Sequence, residues 1–194
     1  MKKKLLVTTL TIAMMLSVFG CGKNDLDYEK VSNEVTLESD AKLDDAKVLD
    51  VSEDELRDLA TVEYDGVKIS AYDNADDIIA AVNTKLNAPE SSTGDKENGR
   101  DFYYIQLHVS TDVKNGEEFV SEISSTQNLF KTTRGIGVDS TYDEVKSAYG
   151  EASLEQEQED DGIKYTGLRY EYGDLALIFT CQDGVVITWD IYRQ

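Results

Sequence analysis

Proline occurs once in the 194 residues, at Pro89, and histidine once, at His108. A single proline excludes the rigid Pro-rich stalk that raises some surface proteins from their membrane. A single histidine confines any His-based catalytic triad to one residue. On a strand running through residues 103–109, His108 falls on the same side as Phe102, Tyr104 and Gln106, as an ordinary sheet residue. Cysteine occurs twice, at Cys21 and Cys181, too few for a disulfide framework. Basic residues are scarce: 19 Lys and Arg stand against 39 Asp and Glu, a net charge of −20. Such a body repels phosphate backbones and anionic headgroups, which excludes nucleic acid as a partner. Long apolar runs are missing too. The longest lies over residues 5–19, about 15 residues, too short to span a bilayer comfortably.

What the sequence does contain begins at its start. Lys2, Lys3 and Lys4 precede that apolar run, and Gly20-Cys21 closes it. A basic head, an apolar middle and a small residue at the cut form an export signal over residues 1–20. Val18-Phe19-Gly20-Cys21 resembles a bacterial lipobox, with the bulky Phe19 where a small residue is usual. The resemblance implies a diacylglyceryl group on the Cys21 thiol and cleavage before it. The mature chain would then hold 16 Lys and Arg against 39 Asp and Glu, net −23. Attachment to the membrane would come from the lipid on Cys21, at about 0.8 kcal/mol per buried CH₂ over two acyl chains. Lipidation would also leave Cys181 without a partner. The expected location is the extracytoplasmic face of the cell membrane.

Residues 21–51 are rich in Asp, Glu, Lys, Ser and Asn with isolated apolar positions, and no helical or strand period survives there. They read as a disordered acidic tether with an r.m.s. span of roughly 30 Å. Residues 52–194 read as the folded part. Ser52-Glu53-Asp54-Glu55 has the S-x-x-E form of a capping box and predicts a short helix. A hairpin is expected around Asp65-Gly66, then a helix over residues 75–86 capped by Asn74, with Ile78, Ile79, Val82 and Leu86 on one face. Residues 87–100 read as a polar loop. A strand over 103–109, a turn at Asn115-Gly116 and a strand over 118–124 follow. Later, Ser140-Thr141-Tyr142-Asp143 predicts a capped helix ending at Gly150, with Val145, Ala148 and Tyr149 inward. An acidic loop over 151–162 leads to strands at 163–172, 175–181 and 185–192, turned at Gly173-Asp174 (type II′) and Asp183-Gly184 (type I′). The expected class is α+β: two tandem helix-plus-antiparallel-meander repeats, about 62–131 and 132–194. They would form a curved sheet with helices on one face.

Within the second repeat, Thr132, Gly135-Ile136, Asp139-Ser140, Val145 and Tyr149-Gly150 resemble a segment of small lipoproteins from Gram-positive anaerobes. Val138 stands where such segments commonly have glycine. The folded part of that family is similar to β-lactamase-inhibitor-protein-like (SmpA/OmlA-like) modules. The resemblance covers about residues 62–194 and implies a module for protein contacts more than it implies any reaction.

Candidate sites are few. Cys181 follows Leu177 and Phe179 at period two, so its thiol should be buried among apolar side chains and inert. With no activated nucleophile or base assembled, the chain is not expected to be an enzyme. Glu155-Gln156-Glu157-Gln158-Glu159-Asp160-Asp161 lacks calcium-loop spacing, and neither a metal nor a cofactor is expected. Register from the two tight turns places Leu168, Tyr170, Tyr172, Leu175, Leu177, Phe179, Cys181 and Val186 on a core face. It places Arg169, Glu171, Ile178, Thr180, Ile187 and Trp189 on the other. Ile178, Ile187 and Trp189 would then make an exposed apolar patch for a partner. The alternative is a bulge near Ile187-Thr188 that returns Trp189 and Ile191 to the core. The leading functional expectation is a lipid-anchored, non-catalytic module that binds an extracytoplasmic protein. A surface module for a small molecule or glycan is the alternative.

Overall fold

The structure, a computed structural model, describes residues 48–194. The expected signal, Cys21 and the expected tether up to residue 47 lie outside the described residues. Three helices, α1 (Glu53–Leu59), α2 (Ala75–Asn83) and α3 (Tyr142–Tyr149), accompany eleven strands. β1 (Thr61–Tyr64) pairs with β2 (Val67–Ser70) and β7 (Lys131–Thr132) in a small antiparallel sheet ordered β2-β1-β7. The remaining strands are β3 (Ser91–Asp95), β4 (Gly99–Tyr103), β5 (His108–Lys114), β6 (Glu117–Ser125), β8 (Leu154–Asp160), β9 (Ile163–Tyr172), β10 (Leu175–Gln182) and β11 (Val185–Arg193). They form one eight-stranded sheet in the order β3-β4-β5-β6-β11-β10-β9-β8. The fold is thus α+β with a large antiparallel sheet. α2 and α3 are each followed by a four-stranded meander, and the last strands of the two meanders, β6 and β11, pair antiparallel at the centre.

Local chemistry sets most of these boundaries. Asn74 starts α2 by accepting the Asp76 N–H at 2.9 Å, which satisfies one of the donors a helix start leaves open. Asp65-Gly66, Asn115-Gly116 and Asp183-Gly184 all hold both residues at positive φ, the type I′ requirement that Asp, Asn and Gly meet most readily. Gly99, at φ +91°, admits no other residue easily, because a Cβ there would stand 2.5 Å from the Thr111 carbonyl oxygen.

One core joins the helices to a single side of the large sheet. Leu59 of α1, Ile78 and Val82 of α2, and Val145 and Tyr149 of α3 pack with Phe102, Val109, Ile123, Leu168, Tyr170, Leu177, Phe179 and Trp189. The Tyr149 ring centre lies 5.3 Å from that of Tyr170 and 5.2 Å from that of Phe179, within the range of favourable tilted aromatic contacts.

Several expectations require correction. Residues 87–100 are not a loop throughout, since β3 and β4 form a hairpin that covers much of them. Residues 103–109 are not one strand either. Tyr104 N–H donates to the Leu107 carbonyl at 2.8 Å, so the chain turns between β4 and β5. Phe102 therefore faces the core opposite Val109, while His108 pairs with Tyr103 and points to the other side. The Glu-Gln run is strand β8, at the edge, and its carboxylates give that edge a charge that resists pairing with another strand. The α3 cap is Thr141, which forms a reciprocal capping box with Glu144; Ser140 instead accepts the Gly137 N–H at 3.1 Å. The turn before it places Asp139, and not residue 138, at φ +72°. Finally, the tether boundary at 51 is too late. Leu49 N–H donates to the Glu171 carbonyl at 2.9 Å, and Leu49 and Val51 pack on the core.

Candidate functional site

All three helices bury their side chains in that one core, so among the described residues the other face of the large sheet has no helical layer. The sequence left two registers open, one with Ile178, Ile187 and Trp189 as an exposed patch on that face and one with a bulge near Ile187-Thr188; the structure has the bulge, and the patch does not form. Thr180 pairs with Thr188 and Cys181 with Val186, so Ile187 is the extra residue of a bulge. Beyond the bulge the alternation of β11 is reversed, which turns Trp189 into the core at 1% exposure, with Ile191 beside it. Ile178 does lie on the open side but is 5% exposed, and Ile187 is half-buried at the bulge. The three residues do not form a surface. Cys181 is fully buried, and burial pushes its thiol up to about 11, so it is no nucleophile at neutral pH. Cys21 lies outside the described residues.

The pairing registers place a different set together on the open face. One cross-strand row reads Tyr103, His108, Ser124, Asp190, Ile178, Arg169. The next reads Asp101, Ser110, Glu122, Tyr192, Ala176, Glu171. Both cross six strands, and the β4-β5-β6-β11 part is acidic around one imidazole. His108 Nε2 lies 3.4 Å from Asp101 Oδ1, and His108 Nδ1 lies 3.4 Å from Glu122 Oε1. Nε2 is shielded from solvent without a well-aligned hydrogen bond. The Ser110 hydroxyl donates to Asp101 at 2.8 Å and the Ser124 hydroxyl to Glu122 at 2.7 Å, which orients both carboxylates. The Tyr103 ring stacks on the imidazole, with centres 4.5 Å apart and planes 8° from parallel. At the other end of the face Arg169 pairs with Glu171 along β9.

Titration follows from this geometry. Burial alone would lower the pKa of His108, but the Glu122 and Asp101 carboxylates outweigh it and hold the imidazolium above its ordinary value. Burial pushes the Asp190 carboxyl up to about 7, Glu122 adds to the rise, and His108 opposes it. No hydrogen bond from a described residue reaches the Asp190 carboxylate. Tyr192 is raised by burial and by the nearby Asp190 and Glu122 charges. Sequence reasoning missed this set because its members lie on four strands up to about ninety residues apart. Two local signals pointed toward it: the lone histidine, and a carboxylate set between Trp189 and Ile191 in an otherwise apolar strand.

Two shallow concavities lie away from this face. One of about 490 Å³ is lined by Arg134, Ile136, Asp139 and Ser147, among others, in the segment that carried the lipoprotein resemblance. There Arg134 is engaged structurally, stacking over Tyr149 at 5.0 Å and donating to the Ala148 carbonyl at 2.9 Å. The second, about 370 Å³, lies beside Arg57, Ser70 and Asp73.

No protein-family model and no curated protein matches the chain. Among solved structures it is similar to a cysteine-rich secretory protein (SAV1118) from Staphylococcus aureus subsp. aureus Mu50, at 13% identity over 76% of this chain and a TM-score of 0.43. It is also similar to a DUF4309 family protein (YjgB) from Bacillus subtilis subsp. subtilis str. 168, at 16% identity over 67% of this chain and 84% of that one, with a TM-score of 0.37. The chain spans about half the length of the first, 51%.

Proposed function

We propose that this chain is a lipid-anchored extracytoplasmic protein that holds a protein partner on the open face of its eight-stranded sheet. The observation behind this is Tyr103, 42% accessible and stacked on His108 on the helix-free face, followed two residues later, in the turn between β4 and β5, by Ile105 at 62%. An exposed aromatic backed by a stacked ring, beside an aliphatic side chain and a polar surround, has the make-up of a protein contact site. The Ser110 and Ser124 hydroxyls donate to carboxylates and are not paired with the imidazole, which favours binding over nucleophilic catalysis. Lys2 to Lys4, the apolar run and Gly20-Cys21 support the anchor. A duplicated helix-plus-meander plan accounts for the arrangement. β6 and β11 each run nine residues from a tight turn, at Asn115-Gly116 and Asp183-Gly184, and Glu122 and Asp190 stand at the same distance from those turns.

Two tests follow. A photo-crosslinking amino acid at position 103 should capture a discrete protein in intact cells, whereas the same probe at Asp77 on α2 should not. Equal capture at both positions would remove the open-face reading. Separately, Cys21→Ser should move the protein from the membrane fraction to the medium or periplasm and abolish metabolic labelling with a clickable fatty acid. Unchanged membrane association and labelling would refute the anchor.

A further inference from the structure

We infer that the partner adds an extended strand to the free edge of β3 and lays an aromatic side chain on the Tyr103 ring. This deepens the proposal of a protein partner on the open face and rests on it.

The eight-stranded sheet ends in β8 on one side and in β3 on the other, and the two edges differ. β8 carries Glu155, Glu157, Glu159 and Asp160, a charged row that resists an added strand. β3 begins with Ser91, Ser92 and Thr93, all exposed, with no charge or proline among them. Gly94 leaves extended geometry at φ +81°, so the straight edge lies over these three residues. Among the described residues no strand pairs with their outer side. In an antiparallel pair the backbone groups of alternate residues point away from the neighbouring strand, so β3 offers free N–H and C=O groups to a further one.

Register determines what such a strand would touch. Ser91 pairs with Tyr103 and Tyr103 with His108, while Thr93 pairs with Asp101 and its hydroxyl donates to that carboxylate at 3.3 Å. Ser91 and Thr93 therefore carry the two open-face rows out to the edge. The Tyr103 and His108 rings stack with centres 4.5 Å apart and planes 8° from parallel, close to the strand spacing of about 4.8 Å. The stack thus runs across the strands, and the second face of the Tyr103 ring looks toward β3, above the small Ser91 side chain. Serine leaves that ring face uncovered, and Tyr103 is accessible. A large side chain opposite Ser91 on an added strand can lean over the serine onto the ring, and an aromatic one extends the existing stack.

A second copy of this chain is the poorer occupant. Two bodies of net charge −20 repel each other, and β3 itself would bring only Ser, Thr, Gly and Asp side chains to the ring. The same charge favours a strand with basic flanks.

The test uses the full mature chain and the peptide N-acetyl-Lys-Thr-Tyr-Thr-Tyr-Thr-Lys-amide, whose tyrosines share one face when extended. One control has serine for both tyrosines. The other is N-methylated at its three central residues and cannot pair along an edge. Binding is read as slowed amide hydrogen exchange at the outward N–H groups of Ser91 to Thr93 and as a shift of the imidazole NMR signal of His108, the sole histidine. The tyrosine peptide should slow exchange in β3 at least tenfold and leave β8 unchanged. Both controls, and Tyr103→Ser in the protein, should weaken binding tenfold or more. No binding at millimolar peptide, equal binding of the N-methylated peptide, protection outside β3 alone, or a chain that dimerises through β3 by itself would overturn the inference. If position 103 crosslinks to a protein while the peptide leaves β3 unprotected, the open face binds by other contacts and only this inference fails. If the peptide protects β3 while position 103 captures nothing, the edge accepts a strand but the protein-partner reading falls, and this inference with it. If neither responds, both fail.

Discussion

Trp189→Ala is expected to lower the unfolding free energy by about 3–5 kcal/mol, the range for deleting a fully buried large aromatic. Trp189 is 1% exposed and joins the core that holds the sheet to the helices, so its loss leaves a cavity at the central strand. Trp189→Phe should cost far less, about 1 kcal/mol. Phenylalanine keeps most of the apolar volume, and the indole Nε1 it removes has no hydrogen-bond partner to lose. Urea titrations followed by circular dichroism check both. The same residue is the only tryptophan, so the native protein should show blue-shifted emission resistant to iodide. Red-shifted, readily quenched emission, or equal losses for the alanine and phenylalanine variants, would put Trp189 outside the core.

Asp190→Asn is expected to stabilise the protein at pH 8 by about 2–4 kcal/mol, and hardly at all at pH 4. The acid's ordinary value is 3.8, and the fold raises it to about 7, so between these values the unfolded chain has released a proton that the folded chain still holds. Stability therefore falls as the pH climbs from about 4 to 7, at about 1.4 kcal/mol per unit, and the penalty is complete above 7. His108 acts in the same direction. Its folded value is raised, so its stabilising contribution is full below 6.5 and is lost as the pH rises through the folded value. Asparagine removes the Asp190 part of this slope and leaves the His108 part. Unfolding free energies of wild type and variant at pH 4, 6 and 8 should diverge with rising pH; a constant difference would show that the Asp190 carboxyl titrates normally in the fold.

Much of the second meander was legible. Strands β9, β10 and β11 lie within one residue of where hydrophobic alternation and the turns at Gly173-Asp174 and Asp183-Gly184 put them. A tight turn needs particular dihedrals at two adjacent residues, and those residues announce it. β3 and β8 were missed for the opposite reason. Ser91 to Asp95 are all exposed, and the Glu-Gln run of β8 has little strand propensity of its own; each is a strand because a neighbour pairs with it. The turn at residues 104–107 was missed because Tyr103-Tyr104-Ile105 reads as strand, and hiding it put His108 on the wrong face.

The sequence by itself determined the charge, the Asp-Gly and Asn-Gly turns and the starts of α1 and α2, because each depends on residues adjacent in the chain. Tertiary structure alone decided which side chains meet. One extra residue at Ile187 sent Trp189 inward, and since strand side chains alternate with period two, the same shift kept Asp190 on the open face. The pairing of β6 with β11 then brought Asp190 beside Ser124 and Glu122, from a segment nearly seventy residues away. No local pattern encodes that register, because it is set by how two meanders share one core.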